Sequence, residues 1–217
     1  MLERFIQAIR TDLPGDEALA DTRLRLKARF PAGAVRRMTQ LGMLVGGVLG
    51  DLLTDEDETV IYASHFGEGR ALESFLDSFP TASPTLFQTS IQPSGVQQSL
   101  IGRQRPVREL FPLCGTPNLV AQSLLAAMIS PAPRVLFCGG EERGTYLTPH
   151  KAASDRTFAF ACALTQARKA DSLARVALTA NDTPGALSPY EWTELLDQRR
   201  PFDGPVAADW RLQLEWL

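Results

Sequence analysis

Histidine and cysteine are scarce in this chain of 217 residues: His65 and His150 are its two histidines, and Cys114, Cys138 and Cys162 its three cysteines. These side chains perform much of the proton transfer, metal ligation and thiol attack in enzymes, so the supply for such chemistry is thin. No two of the five fall in a C-x-x-C or H-x-x-x-H pattern, and no metal site is expected. An odd number of widely spaced cysteines, with no signal sequence, points to reduced thiols in a cytoplasmic protein. Positive charge is not in excess either, with 22 basic against 25 acidic residues, which leaves no basic field for nucleic acid. The most apolar run, Leu41 to Leu53, is broken by Asp51 and falls short of the roughly 20 residues that span a bilayer. Nucleotide fingerprints are incomplete: Gly67-Glu68-Gly69 lacks a third glycine, and Gly139-Gly140-Glu141-Glu142 lacks the Walker spacing and its lysine. No cofactor is expected, and the second of these reads as a turn at a strand end.

The composition itself, 44% hydrophobic and 22% charged, is that of a globular protein with one sizeable core. Leu2, Phe5, Ile6 and Ile9 recur at helical spacing and predict a short amphipathic N-terminal helix. Arg23 to Phe30 alternates charged and apolar residues, the period of an edge strand. From Val35 to Leu53 the apolar residues keep helical spacing while Gly42, Gly46 and Gly50 line up four apart. That stripe predicts a buried helix with another backbone packed closely along it. Thr59 to Ser64 reads as an inner strand, followed by a turn at His65-Phe66-Gly67 and a helix with Ala71, Phe75 and Leu76 on one face. Ser83-Pro84-Thr85 reads as the start of a loop, Ser94 to Ile101 as a short helix, and Arg108 to Leu113 as a strand. Thr116-Pro117 supplies a helix-start signal for Leu119 to Ile129.

Arg134 to Cys138 forms the next predicted strand, ending at Gly139-Gly140. Phe158 to Leu164 is apolar on both faces, with large side chains on one and alanines on the other. It predicts a central strand with a close neighbour on its small face. Leu173 to Leu178 is expected to pair with it. The tail from Trp210 to Trp216 alternates with period two, and Asn181 to Pro189 and Pro201 to Pro205 read as loops. Strands separated by helices make an α/β layered domain.

Ser83-Pro84-Thr85-Leu86-Phe87-Gln88-Thr89-Ser90-Ile91, with the order of elements around it, resembles the N-terminal half of β-ketoacyl synthases, in particular their short synthase-like relatives. Arg36-Arg37-Met38, Ser64-His65-Phe66-Gly67-Glu68 and the strand–turn–helix from Phe111 to Ala127 are similar to further features of that family. The resemblance spans roughly residues 20 to 180. It implies one thiolase-like half over 1–217, a layered mixed β-sheet with flanking helices, whose core lies at about 20–180 and whose C-terminal extension covers 181–217.

Active ketosynthases carry a cysteine nucleophile where a strand enters a buried helix, in a C-S-S-x-L-V-A-like sequence. Here the corresponding text is Cys114-Gly115-Thr116-Pro117-Asn118-Leu119-Val120-Ala121, and counting back from Leu119-Val120-Ala121 puts Gly115 on the nucleophile position. The family's two histidines belong to a second half beyond the length of this chain, and its histidine and asparagine after the Ser90 stretch are replaced by Gln92-Pro93. The resemblance therefore implies a catalytically silent subunit, similar to a chain-length factor, that pairs with a ketosynthase or with itself in fatty-acid or polyketide-type (aryl-polyene-like) biosynthesis. A half of this fold exposes apolar surface that the missing half covers elsewhere; a partner, a second copy or the strand-like tail is expected over it. The alternative is a minimal acyltransferase or thioesterase with Cys114 as nucleophile and His65 as base. An acyl carrier protein is a further expected partner, with Arg103, Arg105 and Arg108 as its basic contact.

Overall fold

The computed structural model describes residues 1–55, 58–91, 93–102, 104, 106–115 and 117–217, together with the backbone but not the side chain of Arg37. The strands are β1 (Leu2–Asp12), β2 (Glu58–Ser64), β3 (Val107–Cys114), β4 (Arg134–Glu141), β5 (Phe158–Thr165), β6 (Ala174–Ala180), β7 (Phe202–Ala207) and β8 (Trp210–Trp216). Among the described residues they form one sheet of order β3-β2-β4-β5-β1-β6-β8-β7. β2 runs parallel to both β3 and β4, and the pairings from β4 through β5, β1, β6 and β8 to β7 are antiparallel. The helices are α1 (Leu19–Leu26), α2 (Gln40–Gly50), α3 (Gly69–Leu76), α4 (Pro84–Ser90), α5 (Ser94–Gly102), α6 (Leu119–Ile129) and α7 (Pro189–Asp197).

The two faces of β5 organise the layers. Ala159, Ala161 and Ala163 join a core built on α2 and α5, while Phe158, Phe160, Cys162 and Leu164 join a second core built on α6 and α7. Small side chains let α2 come close, as the alternation of alanines predicts. In α2 every residue after Gln40 is buried. A Cβ on Gly46 would crowd Ser99 Oγ and the Phe30 ring, and one on Gly95 would meet the backbone of Gly42, so α2 and α5 touch backbone to backbone along the predicted stripe. α2 itself starts later than expected: Ala34–Arg37 is a 3-10 turn, and the Thr39 side chain caps the helix by accepting from Gly42 N at 2.8 Å.

The structure corrects several expectations. The N-terminal segment is a strand at the centre of the sheet, between β5 and β6. A register shift between Ile6 and Ala8 explains the misleading spacing. One extra residue in the strand turns Ile6 and Ile9, three apart, toward the same α6/α7 core while Ala8 meets the other. β1 thereby separates β5 from β6, so the Leu173–Leu178 region pairs with β1 and β8 instead of β5.

Arg23 to Arg29 is helical, in α1 and the 3-10 turn that follows it, and Phe30 is extended. The alternation does not track burial, since Leu24 is exposed and Leu26 buried, and Arg25 is held by Asp12 and Glu17. Ser83-Pro84 opens α4 rather than a loop: Ser83 accepts from Leu86 N and Pro84 takes the first helical turn. Gly139 and Gly140 lie inside β4, where a Cβ on either would collide with the carbonyl oxygen of Ala63 or Phe158. Of the stretch from Pro201 to Pro205, the residues from Phe202 on belong to the edge strand β7, where the missing N–H of Pro205 is tolerated.

Candidate functional site

The parallel strands β2, β3 and β4 end together, and the loops beyond such carboxyl ends are where open α/β sheets place their chemistry. Ser64 pairs in register with Cys114, so the His65 loop and the Cys114-Gly115 turn leave neighbouring strands side by side. Cys114 is exposed. Gly115 has φ +71° and nothing within 4 Å of where a Cβ would stand, so the chain turns toward α6 through a backbone conformation that suits glycine. Leu119, Val120, Ala121, Ser123, Leu124 and Ala127 of α6 are buried, which makes it the strand-to-buried-helix entry expected from the sequence. Thr116 lies outside the described residues.

His65 is half-buried, its ring set edge-on to Phe66 at 4.5 Å. Among the described residues no hydrogen bond joins its imidazole to Cys114, and none joins either to a carboxylate side chain that would orient a base. The carboxylate of Glu141, at the end of β4, accepts instead from the backbone N–H of His65 and, at 3.2 Å, from that of Phe66. Gly67 N donates to Ser64 Oγ at 2.8 Å. His150 sits exposed in the 3-10 turn Thr148–His150. Cys138 and Cys162 are fully buried on opposite faces of the sheet, and burial pushes both thiols far up, away from thiolate. Arg108 is exposed on β3, while Arg103 and Arg105 lie outside the described residues.

Glu68, Glu141 and Glu142 form a buried acidic group that the sequence reading missed, having taken the last two as part of a turn at a strand end. Glu142 accepts from Leu41 N and Arg70 N, both at 3.1 Å, at the N-termini of α2 and α3. Glu68 accepts from the hydroxyls of Thr39 and Ser94. Burial raises all three carboxyls against the opposing pull of these hydrogen bonds, Glu141 to about 8 and Glu142 to about 7. The signal available in the sequence was a glutamate pair continuing an apolar strand. Their oxygens are taken up in holding loops and helix ends, so their role in this geometry is positional. Among the described residues no three His, Cys, Asp or Glu side chains converge in a way that would hold a metal ion.

No protein-family profile matches the sequence, and no curated protein matches it either. Solved structures do match. One is a chain of the ketosynthase ApeO in complex with its chain length factor ApeC from Xenorhabdus doucetiae, with a TM-score of 0.70, 16% identity, and coverage of 98% of this chain and 100% of that one. The chain has a thiolase-like, ketosynthase-type fold. A second ketosynthase-type match is the ishigamide ketosynthase/chain length factor, at TM-score 0.58 and 13% identity, covering 83% of this chain and 68% of the other. On the sheet face that carries α6, the C-terminal segment supplies α7, packed beside α6, and β8, a strand of the sheet itself. Trp192, Leu195 and Leu196 of α7 and Leu212 and Leu214 of β8 close the core around α6. The opposite end of the sheet is open: β3 is an edge strand with Phe111 47% exposed. No helix among the described residues is long and apolar enough to cross a membrane.

Proposed function

We propose that the whole chain, 1–217, acts in the cytoplasm as one non-catalytic ketosynthase-like subunit beside an active ketosynthase, in fatty-acid or polyketide-type synthesis of aryl-polyene-like products. The observation that carries this reading is the turn at Gly115, with φ +71° before a buried helix; the resemblance puts this glycine where ketosynthases hold their cysteine. The absence of a hydrogen-bonded base at Cys114, among the described residues, supports the same reading. So does the match over nearly the full chain to a structure of a ketosynthase with its chain length factor. We place the partner at the side of the open β3 edge, where Phe111 is exposed.

Co-expression with a ketosynthase subunit from the same organism tests the proposal. Stable co-purification is the expected result, and a chain that stays separate overturns it. The acyltransferase or thioesterase alternative makes a different prediction: a thiol-reactive acyl probe would label the chain stoichiometrically, and Cys114→Ala would abolish the label. We expect no such Cys114-dependent turnover of acyl thioesters.

A further inference from the structure

Glu68, Glu141 and Glu142 are each at most 3% exposed and gather where the parallel strands β2 and β4 end. Glu141 accepts from the backbone N–H groups of His65 and Phe66, and Glu142 from those of Leu41 and Arg70. Glu68 accepts from the hydroxyls of Thr39, which caps α2, and of Ser94, which opens α5. The His65 loop and the first turns of α2, α3 and α5 are thus fastened to one another and to the end of β4 by carboxyl groups. Among the described residues, none of the three forms an ion pair. Arg70 of α3 leans on Glu73 at 3.7 Å, and Arg143, next in the chain to Glu142, turns out to Asp16 at 2.7 Å. Tyr62 of β2 and Cys138 of β4 are buried, and burial pushes the phenol and the thiol up, so both stay neutral. His65 meets the group through its backbone N–H, and α2, α5 and α6 carry no titratable side chain.

We propose that these three carboxyls form a pH-sensitive latch: while they hold protons the His65 loop and the first turns of α2 and α3 stay closed, and loss of the protons opens them locally. Ionising neighbouring carboxyls away from water and without a paired cation is costly, and opening removes that cost by hydrating them. The N–H and O–H donors favour the charged form, but burial opposes them and prevails at all three. Each carboxyl that is neutral when closed and ionised when open makes opening about tenfold easier per pH unit, between its ordinary range and its raised one. The opening is local because the bonds at stake fasten a loop and helix ends, whereas β1, β6 and β8 are joined by backbone ladders that no carboxyl supports. The loop that the latch frees lies beside the Cys114-Gly115 turn, since Ser64 and Cys114 pair in register. A change of pH therefore reshapes that end of the sheet while the rest of the fold stands.

Hydrogen exchange of the full chain, read by mass spectrometry at about pH 6 and about pH 8.5 with exposure times scaled to the intrinsic exchange rate, tests the latch. We expect protection over the segment 64–72 and the first turn of α2 to fall about tenfold or more, while protection of β6 and β8 changes less than about threefold. Glu141→Gln keeps a carbonyl acceptor but cannot ionise, and it should flatten the fall over 64–72. Glu142→Gln should do the same for the first turn of α2, and it serves alone where circular dichroism shows that Glu141→Gln does not fold. Wild-type protection over these segments that does not change with pH overturns the latch. An equal loss in β6 and β8 means that the whole molecule opens, and overturns it as well. So does a fall of wild-type size in the folded glutamine variants.

Discussion

Arg4 is the largest commitment of a single polar residue in the molecule's interior. It is fully buried on β1, and its guanidinium donates to Ala132 O at 3.0 Å and to Ser130 O at 2.6 Å, immediately beyond the end of α6. A cation at a helix C-terminus complements the dipole and satisfies carbonyls that the helix leaves free. Burial lowers its proton affinity, but an arginine stays charged. Arg4→Ala removes both of these donations and opens a cavity, with Ser130 O keeping only Gln166 Nε2 at 3.4 Å among side-chain donors, and is expected to cost about 3 kcal/mol in urea unfolding; an unchanged midpoint would remove Arg4 from this role. Two glycines make a contrasting pair. Gly139→Ala drives a methyl into the Ala63 carbonyl and should yield no soluble protein. Gly115→Ala meets open space and carries only the strain of φ +71°, about 1 kcal/mol.

At the scale of elements, α7 covers part of the apolar sheet face beside α6. Ser188 and Glu191 form a capping box, with Ser188 N donating to Glu191 Oε2 at 2.8 Å and Glu191 N to Ser188 Oγ at 3.2 Å. Beyond the cap, Trp192 enters the α6 core and stacks on Phe137 with ring centroids 6.1 Å apart. Ser188→Ala should cost about 1 kcal/mol, and Trp192→Ala about 3–5 kcal/mol. If α7 is the roof of this face, Trp192→Ala should also bind a hydrophobic dye such as ANS, whereas Ser188→Ala should not. Equal dye binding by both variants would contradict that assignment.

For the whole molecule, the buried carboxyls couple stability to pH. Glu141 and Glu142 rise from about 4.5 in the unfolded chain to about 8 and about 7 in the folded one, through burial, and Glu68 rises too. The folded protein therefore holds more protons than the unfolded one between about 4.5 and 8, and stability falls as pH rises through that window. Other carboxyls act in the opposite sense below it. At Glu73 burial is outweighed by hydrogen bonds from Leu147 and Thr145, and the contribution is lost as pH falls below the ordinary carboxylate range. The melting temperature should thus be highest in mildly acidic buffer and decline toward pH 8, with a shallower decline in Glu141→Gln. A melting temperature that climbs steadily from pH 5 to 8 would refute this balance.

Local pattern was enough to read α2 with its glycine stripe, the inner strands β2 and β5 and the span of α6. These features depend on residue size and periodicity within a few turns, which the chain carries in itself. The central place of β1 was not legible, because a single bulged residue gives a strand the spacing of a helix and only its two neighbours reveal the pairing. Nor was the burial of Glu68, Glu141 and Glu142, since a carboxylate is driven inward by amides and hydroxyls that come from α2, α3, α5 and the His65 loop, far apart in the chain. The place of α7 was decided the same way: whether the apolar sheet face beside α6 is covered depends on where a distant segment packs, and burial is a property of the assembled layers.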